Sequence, residues 1–128
     1  MSEYFTLQKR YETIYGPKTV VLYNTGFFYE IFEYDPVLCT DNKYKMDAPG
    51  AMWNEHIGHT FELSEILNYY VTIRDTRKPY SFNNSNVMGF PVMIYNKILR
   101  ILLDNGYTVI RVDQCNDVRS VAEICSPL

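Results

Sequence analysis

Phe28 and Glu30 stand two positions apart in the run Gly26-Phe27-Phe28-Tyr29-Glu30. In an extended segment side chains alternate between faces, so a ring and a carboxylate at this spacing share one face about 6.5 Å apart, while Phe27, Tyr29 and Ile31 share the other. One face can then supply a core, and the other presents a flat hydrophobe beside a hydrogen-bonding acid. That pair suits wedging between stacked bases while the acid tests the edge of one base. By residue type alone Phe28 reads first as a core aromatic and Glu30 as a solvated carboxylate. Phe32 continues the same face, which implies partial cover there.

The elements that must position this pair follow from periodicity. From Glu3 to Tyr15 the apolar positions Tyr4, Leu7, Tyr11, Ile14 and Tyr15 keep helical spacing, with Ser2 placed to cap the helix and Gly16-Pro17 to stop it. Thr19 to Tyr23 is β-branched and apolar, and an Asn24-Thr25-Gly26 turn joins it to an antiparallel strand from Phe27 to Glu33. Residues 36–60, with Pro36, Pro49-Gly50 and Gly58, hold no period and read as a loop or insertion. A helix follows, capped by Thr60, with Phe61, Leu63, Ile66, Leu67 and Tyr70 as its apolar stripe. Val71 to Thr76 is β-like, Arg77 to Asn86 is a polar loop, and Val87 to Phe90 is a short strand. Pro91 opens a helix whose buried face is Ile94, Ile98, Ile101 and Leu102 and which Gly106 ends. Tyr107 to Asp113 and Ser120 to Cys125 are the last strands. This order predicts one α/β domain over residues 1–128, a mixed central sheet flanked by about three helices.

A chain of 128 residues, 47% hydrophobic and 16% aromatic, has the material for a core and is not of disordered composition. No run is long enough to span a membrane, and Met1-Ser2-Glu3-Tyr4 lacks the basic and apolar pattern of a leader, so an intracellular protein is expected. Three cysteines, Cys39, Cys115 and Cys125, fit reduced thiols and are assigned no chemistry. The net charge of -3 argues for weak DNA affinity of this chain by itself, because cations supply most non-specific binding. A G-x-x-x-x-G-K-[ST] phosphate loop does not occur in the sequence.

The run Tyr23-Asn24-Thr25-Gly26-Phe27-Phe28-Tyr29-Glu30-Ile31-Phe32 resembles the mismatch-sensing motif of MutS DNA repair proteins, G-D-F-Y-E-x-F. Val87-Met88-Gly89-Phe90-Pro91 is similar to that family's M-A-G-I-P, Thr72-Ile73-Arg74 to its T-K-R, and Val112-Asp113-Gln114 to its C-E-Q. Arg119 to Pro127 resembles the R-x-V-x-x-I-x-T-P strand that closes the family's N-terminal domain. The resemblance implies that Phe28 intercalates with Glu30 as partner acid, that Arg74 contacts DNA, and that Met88 lies near the groove. It implies a fold like the MutS N-terminal domain and no catalytic residue or cofactor in this chain. The expected partners are double-stranded DNA with mispairs or small loops and the remaining domains of a larger dimeric protein, where ATP and magnesium would bind. Phe27 replaces the motif's Asp, on the side expected to face the core. Val92-Met93 stands where the family often has Tyr-His, and the region 36–60 is expanded.

Arg74, Arg77 and Lys78 form a basic cluster suited to phosphate contacts beside the wedge, or equally to a solvated loop. His56 and His59, with Cys39 and Glu55 nearby, have H-x-x-H spacing, but zinc needs three or four ligands. Met52 and Trp53 are expected to close a small satellite core. Two rival functions remain at this point: a module that binds a protein through the Phe28 face, and a small metal-dependent nuclease using Glu30, Asp113 and a histidine.

Overall fold

The computed structural model describes residues 1–41 and 54–127. Helix α1 (Ser2–Tyr15) leads into strands β1 (Thr19–Thr25) and β2 (Phe28–Glu33), then a 3-10 turn at Pro36–Leu38. Helix α2 (Thr60–Leu67), strands β3 (Thr72–Ile73) and β4 (Asn86–Pro91), a 3-10 turn at Val92–Ile94 and helix α3 (Tyr95–Asp104) follow. Strands β5 (Thr108–Cys115) and β6 (Val118–Cys125) end the fold. The strands form one sheet in the order β3-β4-β2-β1-β5-β6. β1 and β5 are parallel and every other pair is antiparallel. The expected mixed α/β architecture is therefore the one observed. Residues 42–53, with Met52 and Trp53, lie outside the described residues.

β2 alternates as the motif demands. Tyr29 and Ile31 are buried while Phe28 is exposed, so the face assignment for these residues holds. Antiparallel pairing sets Tyr29 opposite Phe90 and Ile31 opposite Met88, and paired residues share a face. The Tyr29 ring packs against Phe90 and, from α3, Tyr95, with centroids 5.9 and 5.5 Å apart. Helix α3 buries Tyr95, Ile98 and Leu102, so Ile94 and Ile101 sit at the margin of its face.

β1 and β2 pair only through Tyr23–Thr25 and Phe28–Glu30. Nearer its start, β1 meets α1 instead of β2. The Gln8 amide accepts a hydrogen bond from the Val21 N–H at 2.9 Å and donates to the Thr19 carbonyl at 2.6 Å, and the Tyr4 hydroxyl donates to the Val21 carbonyl at 2.8 Å. Buried backbone groups need such partners, which explains a fully buried glutamine on an otherwise apolar face. The buried face of α1 is accordingly Tyr4, Phe5 and Gln8, and Ile14 and Tyr15 of the expected stripe are exposed. Neither expected cap forms: Ser2 lies inside α1 behind Met1, and Thr60 lies inside α2 behind His59. Glu33 serves α2 instead. Its Oε1 accepts from the Thr60 hydroxyl at 2.8 Å and the Phe61 N–H at 2.9 Å, placing a carboxylate at the positive end of the helix.

Candidate nucleic-acid interface

Thr25 pairs with Phe28, which leaves Gly26 and Phe27 as a two-residue turn. Gly26 has φ of +66°, a conformation that glycine adopts without the penalty of a Cβ. The Asn24 side-chain amide closes the turn by donating to the carbonyls of Gly26 and Phe28 at 3.0 and 3.2 Å. The Val92 N–H donates to the Phe27 carbonyl at 2.9 Å, tying the turn to the end of β4. Phe27 was expected on the core side of the strand, and the turn overrides that expectation: its ring is 84% exposed. Phe28 follows at 48%, so two adjacent phenyl rings stand at one end of the sheet. Met93, just after the residue bonded to Phe27, is 92% exposed.

Glu30 shares the Phe28 face, and its Oε1 accepts a hydrogen bond from the Thr25 hydroxyl at 2.7 Å. Gly89 is its cross-strand partner. A Cβ on Gly89 would lie 3.3 Å from Glu30 Cγ and 3.3 Å from the Tyr29 carbonyl oxygen, so the glycine makes room for the Glu30 side chain. Glu30 lines a polar cleft of about 220 Å³ with Thr25, Tyr23, Phe32, Arg74 and Arg119. Glu3 of α1 also reaches the cleft, and burial followed by a hydrogen bond with Glu3 pushes the Tyr23 hydroxyl up to about 12. The Arg74 guanidinium lies 5.7 Å from the Phe32 ring centroid, beneath which Tyr4 covers Phe32 edge-on at 5.0 Å. Cover of this face therefore reaches Phe32 and stops short of Phe28.

Lys78 and Arg74 line a second hollow with Asp75, Asn83 and Asn84, and of these two cations Arg74 also borders the Glu30 cleft. Arg77 does not join them. Its guanidinium pairs with Asp75 at 3.0 Å, which holds that carboxyl below its ordinary range. Met88 is corrected as well: it is 2% exposed and paired with Ile31 on the opposite face, so it is a core residue and not part of this surface. The parity of β2 against β4 decides the matter, since Met88 shares a face with Tyr29 and Gly89 with Glu30. Arg119 was not singled out in the sequence as a site residue. Its one signal was its place at the start of the closing strand, and only the β5–β6 hairpin carries it to the cleft.

On the reverse face, the Tyr29 hydroxyl donates to Asp113 Oδ1 at 2.6 Å. Burial and this bond raise the Tyr29 hydroxyl well above its usual range. Asp113 also meets Arg111 at 3.4 Å, and the Arg111 guanidinium sits 4.9 Å from the Tyr95 ring centroid. Asp113 and Glu30 thus occupy opposite faces, which removes the constellation expected of a nuclease. The histidines are elsewhere: His56 pairs with Glu33, and His59 with Glu12 at 2.6 Å. Glu55 pairs with Lys9, and Cys39 contacts the Asp41 carbonyl at 3.8 Å. Among the described residues no three such groups gather to hold a metal, and the H-x-x-H spacing instead fastens residues 55–59 to α1 and β2.

Across 124 residues the chain is 31% identical to a mutS homolog of Acanthamoeba polyphaga mimivirus whose name assigns it to DNA mismatch repair. The match takes in 95% of this chain and 9% of that protein, so the chain spans less than a tenth of the relative's length. No family model matches the sequence. Near-complete coverage of a short chain by a small part of a long one is the relation a MutS-derived domain has to the whole protein.

Proposed function

We propose that this MutS-related domain senses mispairs or small loops in double-stranded DNA by inserting Phe28 into the base stack, with Glu30 addressing the edge of the displaced base. The observation that supports this reading is a half-exposed phenyl ring on the same sheet face as a carboxylate whose cross-strand neighbour is glycine. Unstacking a base step costs a few kcal/mol, and the cost is lower where pairing is already broken, so a ring that must enter the stack selects weak steps. Glu30 repels phosphates everywhere and is tolerated where it gains a base contact, which penalises matched duplex. Arg74 and Lys78 supply phosphate contacts that are indifferent to pairing. The chain is non-enzymatic in this reading and works within a larger dimeric ATPase, at DNA inside the cell.

The test is competition between matched and mismatched duplexes, repeated with magnesium to register any cleavage. Phe28→Ala should abolish mismatch preference, Glu30→Gln should strengthen matched binding, and Arg74→Ala with Lys78→Ala should lower both affinities equally and flatten the salt slope. A Phe28→Ala variant that keeps full preference in a longer protein bearing this domain would overturn the wedge.

A further inference from the structure

We infer that Arg119 is a positioning residue for the wedge: it holds the Asn24 end of β1 and thereby fixes the turn on which Phe27 and Phe28 stand. This rests on the reading of Phe28 given above. The parallel pairing of β1 with β5 ends at Tyr23 and Val112, so the Asn24 carbonyl lies beyond the last rung. The Arg119 Nη2 reaches it from β6 and donates at 3.1 Å. The same guanidinium lies over the Tyr23 ring, 4.1 Å from its centroid. Arg119 sits opposite Gln114, so the tie crosses β5 to reach a strand with which β6 has no ladder.

Asn24 is the residue whose side-chain amide closes the turn onto the Gly26 and Phe28 carbonyls. A Cβ on Gly26 would meet nothing within 4 Å among the described residues, so that side of the turn is open. The backbone of 26–28 is held by the Asn24 amide, by Val92 and by the rungs that β2 makes with β1 and β4, and the first of these depends on where Arg119 keeps Asn24. A ring held in its inserting orientation loses less conformational freedom on entering DNA than one on a loose turn. Only a planar guanidinium can lie flat on Tyr23 while donating sideways to a carbonyl, so lysine is not an equivalent.

The experiment compares the 128-residue chain with Arg119→Ala, Arg119→Lys and Asn24→Ala in two ways. Without DNA, amide exchange and 15N relaxation at Gly26, Phe27 and Phe28 report turn mobility, with thermal denaturation as the check on the fold. With DNA, competition gives the ratio of mismatched to matched affinity. The expectation is faster exchange at these three amides in all variants, and a mismatch ratio reduced by about tenfold with matched affinity changed less than about twofold. Asn24→Ala keeps the carbonyl and loses the amide, so it tests the turn should Arg119→Ala lower stability. Unchanged turn mobility overturns the proposal. An equal loss for both duplexes with a flatter salt slope does so too, because it makes Arg119 a phosphate contact. If Phe28→Ala removes mismatch preference and Arg119→Ala does not, the wedge stands and this inference fails. If Phe28→Ala leaves preference intact, the wedge itself fails.

Discussion

Glu30 and Glu33 lie three residues apart on one strand and face opposite sides of the sheet. Glu33 is 4% exposed and its carboxylate is used up by structure, with two donors at the start of α2 and a histidine on its second oxygen. Glu30 is partly exposed, accepts from one neutral hydroxyl, and looks onto a cleft edged by two arginines. The strand geometry is the same and the surroundings differ: α2 and His56 meet the Glu33 carboxylate, whereas at the other end of the strand Phe27 and Phe28 stand exposed. An identical residue type is thus a fold component in one place and a surface group in the other. The difference comes from what the chain brings against it.

The largest expected effect separates neighbours at the Phe28 end of β2. Tyr29→Ala should destabilise by roughly 3–5 kcal/mol, because it empties a packed site beside Phe90 and Tyr95. Phe28→Ala should cost about 1 kcal/mol or less by urea denaturation, as for other changes outside the core. Similar losses from both would mean that Phe28 is packed like Tyr29. Next is the carboxylate pair. Glu33→Ala should cost about 2–4 kcal/mol, since it leaves a buried hydroxyl and the Phe61 N–H unpaired, while Glu30→Ala should stay within about 0.5 kcal/mol. Equal values would erase the contrast.

The smallest effect concerns a third carboxylate, Glu123, which the Tyr95 hydroxyl holds below its ordinary value of 4.5. A depressed folded value means that its contribution is complete above pH 4.5 and disappears as pH falls through the lower folded value. Tyr95→Phe should lower the denaturation midpoint near neutrality and make it less sensitive to acid below pH 4.5, so that the gap to the parent chain closes as pH falls. A slope as steep as that of the parent chain would assign the acid response to other groups.

Period-two alternation was enough to place Phe28, Tyr29 and Ile31, because a half-buried strand has only two faces and its core side must be apolar. It failed at Phe27, where the hairpin closes over Gly26 and Phe27 and the residue leaves the strand. Met88 required knowledge that β4 lies beside β2, since parity within β4 does not say which parity faces α3. Gln8 was missed because its burial answers unpaired backbone groups on β1, and Arg119 because 95 residues separate it from the carbonyl it holds. The histidine spacing suggested a ligand pair, yet each ring found a carboxylate on a different element. Local pattern read the strands and helices well. Polar side chains that bridge elements were legible only in three dimensions.

The glutamine that borders β1 also makes two parts of the molecule answerable to each other. The Val21 amide proton is shielded by a side chain from α1 and not by a neighbouring strand. Its exchange with solvent therefore follows the undocking of a helix, even though it belongs to the sheet, and should keep time with the opening of the N-terminal helix while the amides paired to β2 and β4 remain protected.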